Sequence, residues 1–294
     1  MRSKVTLFLL VAFLAVTGLA VPARAAAPAT APSTLTAPPK VTAPLKVTAK
    51  VVYLVDATTG TVQFARRETR RVPVASLTKI MTAYVVRRDA PLDAVVTITK
   101  ADVRHAAAND ATHAGLKAGE RLTVRDLLYA LLLPSGADAA NALARRYGPG
   151  VKGFVKKMNA AARDLGMRDT FYTNADGLPQ SGGDHSTAVD QVTLARAVMS
   201  DSVIIQIAAT ELHAVEKTSA HRRHVWRNTN RLLPDDAQGL KTGYTRAAGY
   251  CLMLAAERDG HTYIGAILGD TGDAARYRTA RSLLDASAAA AAAV

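Results

Sequence analysis

Short β-rich runs lie near both ends of the chain, and residues of helical spacing fill the middle. Val51-Val52-Tyr53-Leu54-Val55 and Thr61-Val62-Gln63-Phe64-Ala65 flank Asp56-Ala57-Thr58-Thr59-Gly60. Two such runs around a glycine-containing turn predict a hairpin. A helix is predicted over about Val74 to Arg88, then a short strand over Val95 to Thr99. Val124, Leu127, Leu128, Leu131 and Leu132 share one helical face. Thr123-Val124-Arg125-Asp126 reads as a capping-box variant at its start. Pro134-Ser135-Gly136 interrupts that helix, and an Ala-rich helix resumes over Asp138 to Arg146. Tyr147-Gly148-Pro149-Gly150 stops it. Further helices are predicted over Val151 to Leu165 and Asp190 to Met199.

Beyond Ile207 the period shortens. Glu211 to Val215, Gly239 to Thr245, Tyr250 to Ala256 and Thr262 to Leu268 read as strands, with Asp259-Gly260 a hairpin turn. A helix over Asp273 to Leu284 follows. Strands gathered at the two ends, rather than alternating with helices, predict an α+β fold. Its antiparallel sheet is flanked by helices, and an all-helical lobe is inserted between its halves.

The ends of the chain add a destination. Met1-Arg2-Ser3-Lys4 is basic, Val5 to Ala20 is almost continuously apolar, and Ala23-Arg24-Ala25 fits small-x-small cleavage. This predicts a secretory signal peptide over 1–25 and an extracytoplasmic, cell-wall-associated protein. Residues 26–49 are rich in Ala, Pro and Thr, with Lys40-Val41-Thr42-Ala43 echoed by Lys46-Val47-Thr48-Ala49, and read as a disordered tether. One catalytic unit is expected over 50–286, then an Ala-rich tail over 287–294. That tail has no basic face, so no stable membrane anchor is expected after signal cleavage. With a single cysteine, Cys251, no intrachain disulfide can form, and its strand-like setting predicts a buried apolar role.

The net charge of +13 favours anionic surroundings. The chain has no zinc spacing, aromatic ladder or compact basic run, so nucleic acid is not expected as a partner. Seven histidines include no H-E-x-x-H and no compact His/Cys cluster, so neither a metal site nor a cofactor is expected.

Three short segments carry candidate chemistry. Ser76-x-x-Lys79, read on a helix, places hydroxyl and amine on one face, with Cβ atoms roughly 5–6 Å apart. A serine hydroxyl needs a base within reach, and a desolvated lysine can serve. Ser135-Gly136-Ala137 lies in an interhelical loop, and Lys241-Thr242-Gly243 in a strand. In this order they resemble the active-site set of penicillin-binding proteins and serine β-lactamases. Leu133 to Ala140, Phe154, Met158-Asn159, Leu165-Gly166-Met167, Asn174-Ala175-Asp176-Gly177-Leu178, Ser186-Thr187-Ala188 and Gly239 to Thr245 extend the match. Together they resemble the low-molecular-mass serine D-alanyl-D-alanine carboxypeptidases over about Val51 to Leu284.

That resemblance implies a β-lactamase/transpeptidase-like fold. It implies Ser76 as nucleophile, Lys79 as base and Ser135 as proton relay. Lys241, Thr242 and Gly243 would bind substrate, with the Ser76 and Tyr244 backbone N–H groups holding the oxyanion. The implied partners are the peptidoglycan stem peptide and, as covalent inhibitors, β-lactams. Most relatives carry Asn where this chain has Ala137, which bears on substrate grip and deacylation. Alternatives are a D,D-transpeptidase, a serine β-lactamase, or a non-catalytic penicillin-binding wall module. A class A β-lactamase needs a deacylating glutamate. Between Ser135 and Lys241 there are only Glu211 and Glu216, neither in a Glu-x-x-x-Asn setting.

Overall fold

The computed structural model describes residues 45–109, 111–179, 183–233 and 239–292. The predicted signal peptide and residues 26–44 of the predicted tether lie outside them.

The chain opens with strands β1 (Val51–Asp56) and β2 (Val62–Arg66). A 3-10 turn, Ala75–Leu77, leads into α1 (Thr78–Asp89). Then come β3 (Val95–Thr97), α2 (Lys100–Ala108), β4 (Arg121–Thr123), α3 (Val124–Leu132), α4 (Ala137–Tyr147) and α5 (Gly150–Asp164). Helices α6 (Ala188–Met199) and α7 (Ser202–Ala209) precede β5 (Leu212–Val215), β6 (His224–Arg227), β7 (Lys241–Thr245), β8 (Gly249–Arg258) and β9 (His261–Asp270). Helix α8 (Asp273–Ala292) follows.

Five strands form one antiparallel sheet in the order β2-β1-β9-β8-β7. The first hairpin thus pairs with β9 near the other end of the chain, as the clustering of strands predicts. Strands β8 and β9 are buried on both faces, which explains the unbroken apolar runs Leu252 to Ala256 and Tyr263 to Leu268. One face, with Val52, Leu54, Leu252, Leu254 and Ile267, packs under Tyr277, Leu283 and Leu284 of α8. The other carries Val51, Val55, Met253, Ala255 and Ile264 into the main core with α1, α3, α4 and α6. The β8–β9 turn has positive φ at both Asp259 (+50°) and Gly260 (+78°), the backbone of a tight hairpin turn whose twist matches the strands.

The body extends further than the pattern predicts in both directions. Val47 and Ala49 are buried in the core under α8, and Arg66 Nη1 donates to Val47 O at 2.6 Å. Ordered structure therefore begins ahead of Lys50. Helix α8 runs on to Ala292, with Ser287 and Ala288 buried and Ser287 Oγ donating to Leu283 O at 2.8 Å. Alanine is the best helix former, so nothing local ends the helix at Leu284.

Four elements went unpredicted: α2, β4, α7 and β6. Helix α2 has little apolar periodicity but carries a capping box. Thr99 Oγ1 accepts from Asp102 N, and the Asp102 carboxylate accepts from Thr99 N. Strands β4 and β6 are short and pair only with β3 and β5.

Asp102 also ties α2 to α4. Its buried carboxylate accepts from Asn141 Nδ2 at 2.9 Å and Arg145 Nη2 at 2.9 Å. Burial by itself would raise its pKa, but the Arg145 guanidinium and the Thr99 donors outweigh burial and hold it below 3.8. Its stabilising contribution is therefore complete above pH 3.8 and lost as pH falls through the lowered folded value. Asp102→Ala is expected to lower stability by about 3 kcal/mol, because it strands a half-buried guanidinium. Urea titrations at neutral pH should show the gap from wild type, and titrations in acid should show it closing.

Candidate active site

Ser76 sits in the 3-10 turn, one residue after Ala75, whose φ is +51°. The turn aims Ser76 at strand β7 instead of leaving it on the side of a regular helix. Ser76 is partly exposed, whereas Lys79 is 2% exposed. Lys79 Nζ donates to Ser76 Oγ at 3.0 Å and to Asp176 O at 2.7 Å. Burial drives its pKa down from 10.5 to about 8, against the opposing pull of the Asp176 and Asp138 carboxylates. A lysine in that state can give up its proton near neutral pH.

The Asp176 carbonyl belongs to a tightly bonded loop. Asn174 Oδ1 accepts from Asp176 N (3.1 Å) and Gly177 N (2.6 Å), and Asn174 Nδ2 donates to Leu178 O (2.7 Å). Gly177 has φ +79°, and a Cβ built on it would stand 1.9 Å from Ala75 O. The loop and the serine turn therefore meet backbone to backbone. The stretch Asn174 to Leu178, noticed in the sequence only as part of a resemblance, is what braces Lys79.

Strand β7 forms the facing wall. Its Gly243 lies so close to the turn that an added Cβ would be 3.1 Å from Ser76 N. Lys241 is 1% exposed, and Nζ donates to Thr242 O at 3.1 Å. Burial first, then repulsion from Lys79 and Arg276, holds its pKa well below 10.5. No ion pair to Lys241 occurs among the described residues. Tyr244 is 55% exposed, with its ring 4.4 Å from that of Tyr250.

Ser135 lies between α3 and α4 with φ +64°. It is 6% exposed, and its Oγ has no hydrogen-bond partner. Its loop is joined to β7 through Thr229, whose N–H donates to Leu133 O (3.1 Å) and whose hydroxyl bonds the Thr242 hydroxyl (2.7 Å). The Ser76 turn thus packs on β7, α1 packs on α3 and α4, and the Ser135 loop reaches β7 through Thr229. The Ser135 hydroxyl itself bonds none of Ser76, Lys79 and Lys241. Ala137 is buried at the start of α4, with its N–H donating to Thr112 O.

Other matched residues are structural. Ser186 is fully buried between Thr170 and Gln191, and the Thr187 side chain caps α6. His185 pairs through its backbone with Phe171, and its Nδ1 meets Gly183 O. Cys251 is fully buried in β8, and burial pushes its thiol up to about 11.

Arg276 was not among the predicted site residues. Its Nη1 donates to Gly243 O and Cys251 O, each at 3.0 Å, and its guanidinium lies over the Tyr250 ring. It braces β7 from behind and borders a cavity of about 580 Å³ that Thr229, Asn230 and Asp273 also line. The signal was present in the sequence: an arginine on the α8 face that carries Tyr277, Ala280, Leu283 and Leu284, one turn after Asp273, with which it pairs. A buried charge at such a position is rare unless bonded.

A five-stranded antiparallel sheet, a helical lobe and a partly exposed serine bonded to a buried lysine at a helix start define the β-lactamase/transpeptidase-like class. A family model described as D-alanyl-D-alanine carboxypeptidase, Peptidase_S11, matches residues 37–272. The chain belongs to that family. It is 40% identical over 247 residues to a D-alanyl-D-alanine carboxypeptidase of Streptomyces sp. strain K15, covering 79% of this chain and 84% of the relative. A Bacillus subtilis D-alanyl-D-alanine carboxypeptidase is 31% identical over 241 residues, and the match spans 61% of that longer relative. Among solved structures, the Streptomyces K15 DD-transpeptidase superposes with a TM-score of 0.79 at 38% identity, covering 83% of this chain and 98% of that one. A Mycobacterium tuberculosis D-alanyl-D-alanine carboxypeptidase gives 0.77 at 33% identity, covering 83% and 92%.

Proposed function

We infer that this chain is an exported, cell-wall-associated serine carboxypeptidase that removes the terminal D-alanine from peptidoglycan stem peptides. Penicillins acylate the same serine. The observation that carries this reading is the 3.0 Å bond from the buried Lys79 amine to Ser76 Oγ.

Neutral Lys79 takes the hydroxyl proton as Ser76 Oγ attacks the carbonyl between the two D-alanines. The backbone N–H groups of Ser76 and Tyr244 hold the oxyanion, each such donor being worth about 2.7–4 kcal/mol of barrier. Ser135, unbonded at rest, relays a proton to the leaving amine. Lys241 and the Thr242 hydroxyl receive the substrate's terminal carboxylate by charge and hydrogen bond. Water then releases the shortened peptide and frees Ser76.

Benzylpenicillin followed by trypsin tests the reading. Cleavage after Arg71 and Lys79 isolates the peptide Val72–Lys79, which carries Ser76. The penicilloyl mass is expected on that peptide, with D-alanine released from diacetyl-Lys-D-Ala-D-Ala. An adduct elsewhere, or no release, would sink it. Acylation is expected to rise with pH through about 8, because only the free base of Lys79 accepts the proton. At pH 7 roughly a tenth of the enzyme holds that form. A rate flat between pH 6 and 9 would count against the assignment.

The likeness to the Streptomyces K15 DD-transpeptidase favours a second outcome for the acyl-enzyme, transfer to an amine. Adding glycylglycine and weighing transferred against hydrolysed product separates the two.

A further inference from the structure

Asp176 offers Lys79 two things: a carbonyl 2.7 Å from Nζ, and a buried carboxylate whose charge pulls on the same proton. Among the described residues, that carboxylate is hydrogen-bonded by no lysine or arginine. Its Oδ1 accepts from Leu178 N at 3.1 Å, and its Oδ2 meets His105 Nε2 at 2.5 Å. His105 comes from α2, outside every motif that marks the site. Its side chain is 22% exposed while that of Asp176 is 2% exposed, so the imidazole is the solvent-facing end of the pair.

We propose that His105 is a positioning residue for the Ser76–Lys79 pair: it pins the loop that presents the Asp176 carbonyl to Lys79, and its charge offsets the carboxylate's hold on the Lys79 proton. This rests on Lys79 being the base. A bare carboxylate beside a lysine makes it a poorer base by favouring its charged form. While His105 is protonated, its imidazolium on the far side of that carboxylate offsets part of the field. Asp176 in turn raises the His105 pKa above 6.5, chiefly through their hydrogen bond, while burial and Lys79 pull it down.

The charged neighbours fit the same scheme. On its own helix His105 feels Asp102, already neutralised by Arg145 of α4. Asp138 of α4 acts on Lys79, and its oxygens are held by the Ala114, Leu116 and Ala139 N–H groups. Lys241 of β7 and Lys79 repel each other. Asp184 feels Asp176 across the loop. Among the described residues, His105 is the one side chain bonded to the Asp176 carboxylate.

The experiment is the pH profile of benzylpenicillin acylation in full-length protein. His105→Gln keeps an N–H donor but loses the charge. Its acid limb is expected to move up by roughly one pH unit, slowing acylation several-fold at pH 7 and little at pH 9. Asp176→Asn removes the carboxylate and keeps an oxygen for Leu178 N, so its limb is expected to move down. Loosening of the loop alone would lower the rate at every pH and move neither limb. Imidazole NMR titration of folded wild type adds a check that needs no variant at the pair. The His105 midpoint is expected above 6.5. By reciprocity it should rise further in Lys79→Met. Unmoved limbs in both variants, or a midpoint at or below 6.5 that ignores Lys79→Met, would overturn the proposal. If Lys79→Met acylates like wild type, the base assignment itself fails. If Lys79→Met is inactive while the limbs stay put, only the role of His105 falls.

Discussion

Lys79→Met is expected to slow acylation by penicillin by about 10³-fold at pH 8 while leaving a folded protein, which is the usual size of a lost general base. The side chain is 2% exposed in a setting that already drives its amine towards neutrality. Methionine is unbranched, one atom shorter, and removes a desolvated cation, so most of the packing is kept. Two acceptors, Ser76 Oγ and Asp176 O, lose a donor, and Asp176 O keeps no other partner among the described residues. That loss offsets the relief of removing the charge, so the melting temperature should shift by only a few degrees. Rapid-quench mass spectrometry reads the acylation rate and calorimetry the fold. Acylation within tenfold of wild type would remove Lys79 from the mechanism. Ser76→Ala in parallel should give no adduct at any pH, because the attacking oxygen is gone.

Gly177→Ala should unfold the protein at lower temperature and abolish acylation together. A Cβ there would stand 1.9 Å from Ala75 O and 2.4 Å from Ala75 C, and both are backbone atoms that cannot swing away. Its φ of +79° adds strain for any L side chain. Either the 174–178 loop or the Ser76 turn must retreat, and each movement separates Asp176 O from Lys79. A loss above about 3 kcal/mol is expected, in the range reserved for backbone clashes in packed sites. Gly166→Ala is the matched control. It has nearly the same φ, +78°, but nothing within 4 Å of the added Cβ. It should lose only about 1 kcal/mol and acylate normally. Equal losses in the two variants would show that backbone strain, not the contact with Ala75, sets the effect.

Arg276, Asp102 and His105 show why the partners that build the site were illegible. Each is defined by a partner far along the chain: Arg276 by Gly243 and Cys251, Asp102 by Arg145, and His105 by Asp176. A one-dimensional pattern records period and residue type, and neither reports on a partner 33 or 71 positions away along the chain. Helix α2, which carries both Asp102 and His105, buries only Asp102 and Ala106, so no apolar stripe announces it.

Local chemistry alone determined a good deal. Alternation and helical spacing dictated an α+β protein with its strands at the two ends, because buried faces demand apolar residues at those periods. Residue type at short spacing dictated that Ser76 and Lys79 share a face, since three positions bring side chains together on any helical turn. Only folding decided which hairpin pairs with β9, that Gly243 comes against Ser76, and that Ser135 is turned inward and left unbonded. It also decided how far Lys79 is removed from water. That last quantity turns an ordinary lysine into a base, and it arises from every segment packed around the amine.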